Sequence, residues 1–176
     1  MLEKLKYPIG KPAIPSEIAN KDINNWITII ENFPAKLDKL TANLTNEQLD
    51  TPYRDNGWTI RQVVHHCADS HQHSYIRFKW ALTEDKPVIK AYYEDKWADL
   101  FDSKTAPISL SINYLKALHA KWVYFLKGLS EEELNKTFIH PDGYKPIKLN
   151  KNIAIYAWHC NHHFAHINNL IISKKW

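Results

Sequence analysis

Apolar side chains recur at three- and four-residue intervals through most of this chain, the period of amphipathic helices. The first such stretch runs from about Ile18 to Leu44, with Trp26, Ile30, Phe33, Leu37 and Leu40 on one face. Pro34 falls inside it and predicts a kink or break, because proline lacks an N–H and its ring crowds the preceding turn. Residues Thr51 to Trp58 (Thr-Pro-Tyr-Arg-Asp-Asn-Gly-Trp) read as a loop. Thr59-Ile60-Arg61-Gln62 then fits a capping box, with Thr59 as N-cap and Gln62 reaching back to it. The helix it opens is expected to run to about Leu82. One stripe of that helix carries Val63, Cys67, Ser70, Ser74, Phe78 and Ala81. The small residues in its middle leave room for a neighbouring helix or for a ligand.

Lys86 to Pro107 is a long connection, with a short helix expected around Glu94–Phe101. A third main helix, about Ser109 to Leu126, carries Leu110, Tyr114, Leu118 and Phe125. Ser130-Glu131-Glu132-Glu133 is a second capping-box signal, for a brief helix, and His140-Pro141-Asp142-Gly143-Tyr144 reads as a turn. The last helix spans about Lys151 to Ile172. Four main helices with one long crossing predict an all-α four-helix bundle with a long crossover connection. A length of 176 residues suits one domain over 1–176 with a single core.

Composition narrows the function classes. Hydrophobic residues at 44% and charged residues at 24% are ordinary for a soluble globular protein. The net charge of +4 is spread over scattered lysines, so no basic stripe of the kind nucleic-acid binding needs is present. Neither a signal-peptide core near Met1 nor a membrane-length apolar run stands out. Two cysteines, Cys67 and Cys160, both fall on apolar stripes and read as small core residues in a reduced, cytoplasmic protein.

The histidines change the picture. Four of the ten, His159, His162, His163 and His166, crowd into two turns of the last helix. His65, His66 and His71 lie in the second helix, with His73 just beyond His71. Two histidines four apart on a helix point the same way and can grip one ion. A third from a facing helix leaves a coordination position open, as catalytic sites require. At 100° per residue, His159 and His163 lie on the edge of the apolar stripe formed by Ile153, Tyr156, Cys160, Phe164, Ile167 and Ile171. His162 and His166 fall roughly 60° further round and are expected towards solvent, lining the mouth of the site with His73. Periodicity alone leaves His66 and His71 both open as the third ligand. Trp58 and Trp158 are expected to be core packing.

Thr51-Pro52-Tyr53-Arg54-Asp55, Gly57-Trp58-Thr59, Arg61-Gln62-Val63-Val64-His65-His66, Ala68-Asp69-Ser70-His71 and Trp158 to His166, with the Tyr7-Pro8-Ile9-Gly10 start, form one set of motifs. Together they resemble the DinB superfamily, most closely its YfiT-like branch of metal-dependent hydrolases. The resemblance implies a four-helix bundle with a long crossover and a three-histidine metal site. Its ligands map to His66, His159 and His163; Cys67 stands where leucine is more usual. It also implies one zinc or nickel ion per chain and a homodimer.

Three neutral imidazoles leave a divalent ion its full charge and an exchangeable position, which suits activation of water on a small-molecule substrate. The expected function is metal-dependent hydrolysis. The alternatives are transfer of a low-molecular-weight thiol, bacillithiol-like, to an electrophile, or a non-catalytic metal-binding stress protein. Asp69, one turn from His66, is the nearest carboxylate and a candidate base or ligand-orienting group; His162 is a second catalytic candidate. Arg54 can hold a substrate carboxylate bidentately or simply tie its loop to the bundle.

Overall fold

The computed structural model describes residues 2–176. A short helix α1 (Leu2–Lys6) precedes the long α2 (Asn20–Thr41), and a one-turn α3 (Asn46–Leu49) leads into α4 (Ile60–Thr83). The crossover holds two short helices, α5 (Glu94–Ala98) and α6 (Phe101–Thr105), where one was expected. After α7 (Ile108–Lys127) come α8 (Glu131–Asn135), strands β1 (Thr137–His140) and β2 (Lys145–Lys148), and α9 (Leu149–Lys174). The His140–Tyr144 turn is the tip of this antiparallel hairpin, Phe138 facing Ile147 and His140 facing Lys145. Four-residue strands are too short to leave a periodicity signal, and proline in the second hides it further.

Helices α2, α4, α7 and α9 make the bundle. Helix α2 packs on α7 and α9, and α4 packs on the same two. The chain therefore places its first two main helices on one diagonal and its last two on the other. The α2-to-α4 and α7-to-α9 connections cross the bundle end, and the crossover with α5 and α6 joins neighbours. Ile30, Leu37, Ile60, Val63, Phe78, Leu115, Trp122, Ile153 and Ile167 fill the shared core. Cys67 and Cys160 are both fully buried within it, and burial pushes both thiols far above their ordinary range, so they are packing residues. No described helix is long and apolar enough to cross a membrane.

Pro34 does not break α2, which runs through it with Phe33 and Pro34 both buried. The missing N–H leaves the Ile30 carbonyl, four residues earlier, without its helical donor. The bundle supplies that donor from another helix, as described below.

Two capping boxes form as the sequence indicates. Thr59 Oγ1 accepts from the Gln62 N–H at 3.2 Å while Gln62 Oε1 accepts from the Thr59 N–H at 2.9 Å. The Gln62 amide also donates to the Ala98 carbonyl at 2.8 Å, which pins α5 to the start of α4. The neighbouring Arg61 is buried and holds Asp50 through Nε at 2.6 Å, with further donors to Asn46 and the Ala106 carbonyl. One turn of α4 thus ties α3, α5 and α6 in place before the histidines begin. Replacing Thr59 by Ala is expected to cost about 1 kcal/mol, the usual effect of losing an N-cap. Urea denaturation of the variant beside the parent measures it; an unchanged midpoint would show the cap to be idle.

Candidate metal centre

The four-residue spacing puts His159 and His163 one turn apart on α9, and α4 brings His66 across to them. Their ring nitrogens, one from each residue, all lie within 4.8 Å of one another. His66 Nε2 and His159 Nε2 are 3.2 Å apart. Two imidazoles bound tetrahedrally to one zinc-like ion have their nitrogens about 3.3 Å apart, so this pair is already at ligand spacing.

A chain of hydrogen bonds fixes which nitrogens are free. The Ile30 carbonyl can only accept, so His119 Nδ1, 2.6 Å away, carries a proton. His119 is neutral at ordinary pH, because burial lowers its pKa to about 4. Its Nε2 is therefore a lone pair, and it accepts from His71 Nδ1 at 2.7 Å. Burial holds His71 neutral as well. His71 Nε2 in turn accepts from His159 Nδ1 at 3.0 Å. The lone pair of His159 Nε2 is left facing His66. Phe33, Trp122 and Tyr156 pack their rings against His71 and keep water off this chain.

A second, shorter chain does the same for His163. The Lys6 carbonyl accepts from His166 Nε2 at 3.1 Å, and His166 Nδ1 faces His163 Nδ1 at 3.4 Å. With His166 neutral, its pKa lowered to about 4 by burial, His163 Nδ1 donates and His163 Nε2 is free. His66 differs, since no such chain pins its Nδ1. Its Nε2 can donate to His159 Nε2 when no ion is present and offer a lone pair when one is. Burial and the neighbouring histidines depress its pKa to about 3, so a proton is a weak competitor for this point.

The expectation that His162 and His166 face solvent is corrected. They are 7% and 4% exposed, because α1 and Tyr7 fold over that side of α9. Helical periodicity registers the bundle face alone and is blind to a covering N-terminal segment. His162 stacks on Trp158 at 4.3 Å, and its buried Nδ1 has no hydrogen-bond partner. His162, His163 and His166 form a second group with ligand-like spacing, sharing His163 with the first. His71 is buried behind His159 as its partner. His73 stacks on Tyr92 at 4.3 Å outside the cleft, so it does not line the mouth. His65 faces the other way, to Ser111 and the Ala106 carbonyl.

The triad floors a cleft of about 560 Å³. Tyr53 stacks on His166 at 4.0 Å and Trp58 lies over His66 at 4.6 Å, so the loop before α4 forms one wall. Trp58 packs against the core as expected and also lines the cleft, whereas Trp158, for which core packing was expected, lines the cleft. Gly57 is required in that wall, since a Cβ there would meet Arg54 Cγ at 2.6 Å. Arg54 lines the cleft with its buried Nε unpartnered, while its Nη1 donates to the Asp55 carbonyl at 3.2 Å. Asp69 does not line the cleft. It sits on the α4 side towards Asp102 and Tyr114, where burial first, then Asp102, raises its pKa to about 6. Three residues along a helix is a rotation of about 300°, so Asp69 lies roughly 60° round from His66, enough to turn it out of the cleft towards Asp102.

The family model of the DinB superfamily matches residues 29–167. The chain belongs to the DinB superfamily. It is 50% identical over 171 residues to a protein of Oceanobacillus iheyensis, covering 97% of this chain and 98% of that one. It is 46% identical over 172 residues to YfiT of Bacillus subtilis, at 98% and 97% coverage. A Bacillus cereus relative is 50% identical over 175 residues, at 99% and 100%. All three carry a provisional designation as metal-dependent hydrolases. The solved structure of YfiT, described as "a probable metal-dependent hydrolase with an unusual four-helix bundle topology", superposes with a TM-score of 0.96 over 98% of this chain and 99% of that one.

Two measurements follow from the histidine chains. Long-range 15N–1H NMR of the metal-free protein is expected to find His119 and His71 neutral and protonated at Nδ1; an Nε2–H form of His71 would break the chain. Stability is also expected to fall with pH. A histidine whose folded pKa lies below its unfolded value of 6.5 is protonated first in the unfolded chain, so stability is lost from pH 6.5 downwards to about 4. His119 alone accounts for roughly 3 kcal/mol of that loss. Urea midpoints of metal-free protein at pH 7.5 and pH 5 measure it, and equal midpoints would contradict the buried, neutral chain.

Proposed function

We propose that the protein is a metal-dependent hydrolase of a small-molecule substrate, with one zinc or nickel ion held by His66, His159 and His163. The observation that carries this reading is the convergence of three neutral ring nitrogens, two of them pre-oriented by hydrogen-bond chains, at the floor of an open cleft. Imidazole donors without carboxylates suit zinc or nickel and not magnesium or calcium. Once bound, such an ion supplies Lewis acidity and draws the pKa of water towards neutrality. The protein's own residues do the rest. His71 and His166 orient the ligand rings, which typically is worth about 10- to 100-fold in metal affinity. His162, which lines the cleft, takes or gives the proton at the substrate in this reading. Arg54 offers its free Nε–H to an anionic group. The designation of the relatives supports hydrolysis.

One observation favours a second reading, thiol transfer to an electrophile. The ligand-spaced groups among the described residues contain histidine only, with no carboxylate base beside the triad. Thiol activation needs none, since coordination itself deprotonates a thiol.

Metal content decides the first part. Protein purified without a histidine tag is expected to hold about one zinc or nickel per chain. His66→Ala, His159→Ala and His163→Ala should each lose it while the fold, followed by circular dichroism, remains. Unchanged or negligible metal in all four proteins would refute the site. Loaded protein assayed on ester and amide panels beside thiol–electrophile pairs separates the two chemistries.

A further inference from the structure

Down the cleft from the triad, α4 presents His66, Ser70, Ser74 and Arg77 on one face, at four-, four- and three-residue steps. Helix α9 answers each of the first three. His66 meets His159; Ser70 meets Tyr156, whose hydroxyl donates to the Ser70 carbonyl at 3.1 Å; Ser74 Oγ accepts from Asn152 Nδ2 at 3.0 Å. At Arg77 the pairing stops. This arginine lines the cleft and is only 9% exposed, its buried Nε has no hydrogen-bond partner, and it joins none of the ion pairs among the described residues. A guanidinium cannot discharge itself by losing its proton, so a buried one with no hydrogen-bonded anion is costly.

We propose that Arg77 is the anchor for a carboxylate of the substrate, at the end of the cleft opposite the triad. This deepens the proposed function and rests on the same cleft being the reaction site. Glu94, Asp95 and Asp142 share that end, exposed at its mouth; none is within ion-pair distance of Arg77, although its charge reaches Glu94, whose pKa burial, Asp95 and Asp142 raise and Arg77 pulls back. They select among oxyanions, because a phosphate dianion passing three carboxylates is repelled more strongly than a singly charged carboxylate. The planar fork of arginine matches a carboxylate with two parallel hydrogen bonds. Eleven residues of helix separate Arg77 from His66, about 16 Å along the axis, and the two side chains close part of that distance. The ligand is therefore an extended carboxylic acid whose reactive group lies at the triad.

The test titrates linear dicarboxylates, succinate to suberate, and the matching neutral diamides into zinc-loaded and metal-free protein by calorimetry. At least one dicarboxylate is expected to bind about 10- to 100-fold more tightly than its diamide, the usual range for a buried charged hydrogen bond. Arg77→Gln should abolish that preference and Arg77→Lys should restore part of it, with metal content unchanged. In the parent protein the Arg77 Nε–H resonance should shift along the same titration curve, a readout that stands even where a variant fails to fold. Dicarboxylates that bind no better than diamides, or a preference that survives in Arg77→Gln, would overturn the anchor and leave the hydrolase reading intact. Arg77-dependent binding in a protein that takes up no metal would instead keep the anchor and remove the hydrolase.

Discussion

A single missing hydrogen bond in α2 sets the terms for the centre of this bundle. Pro34 cannot donate to the Ile30 carbonyl, and the freed acceptor takes its proton from His119 on α7. From that point every tautomer along His119, His71 and His159 is forced, because each ring can accept only at the nitrogen that does not donate. The chain crosses the bundle, linking α2, α7, α4 and α9 through polar contacts in an otherwise apolar core. Buried polar networks of this kind are destabilising when one member is unsatisfied and rigid when all are satisfied. It ends on a carbonyl at one side and, at the other, on the lone pair of His159 Nε2, which faces His66 Nε2 at 3.2 Å.

The four main helices were legible in the sequence because each buries a long apolar stripe with a 3.6-residue period. The start of α4 was legible for a different reason, the local chemistry of Thr59 and Gln62. The hairpin was not, since four-residue strands beside a turn leave no period to find. In the site, His159 and His163 could be read from their spacing, whereas the choice of His66 over His71 came from resemblance. The structure shows why the pattern could not separate those two: both rings point inward and both touch His159, one at its Nε2 and the other at its Nδ1. His119 left no signal at all. A lone histidine on the apolar face of α7 looks like any packed residue, and only the pairing of α7 with α2 and α4 reveals its partners. Pro34 carried a signal that pointed to the wrong consequence, a kinked helix in place of a freed carbonyl.

His162 and His166 show the same limit from the other direction. Their angular position on α9 places them off the bundle core, and that part of the periodicity argument is sound. What buries them is the segment around Lys6 and Tyr7, which the periodicity of α9 cannot sense. The carbonyl of Lys6 then plays for His163 the part that the Ile30 carbonyl plays for His159. Two main-chain carbonyls at opposite ends of the cluster thus orient the rings of His159 and His163, the first through His119 and His71 and the second through His166. Carbonyl oxygens suit this task because they accept at every pH, so the direction of both chains does not change when neighbouring groups titrate.

Burial explains why the cluster is built from histidine and not from carboxylates. A buried carboxylate beside the triad would be pushed towards its protonated form, as burial already does to the half-buried Asp69. Imidazole responds in the opposite sense: desolvation favours its neutral form, which is the form that ligates. The surrounding Phe33, Tyr53, Trp58 and Trp122 rings therefore help the donor set while they exclude water from it. The same low-dielectric surroundings make an unpaired charge costly, and the triad avoids that by being uncharged until an ion arrives. Arg77, the charged side chain buried at the far end of this cleft, has no such option. The cleft thus sets neutral donors from α4 and α9 at one end and a buried cation of α4, with no ion pair of its own, at the other.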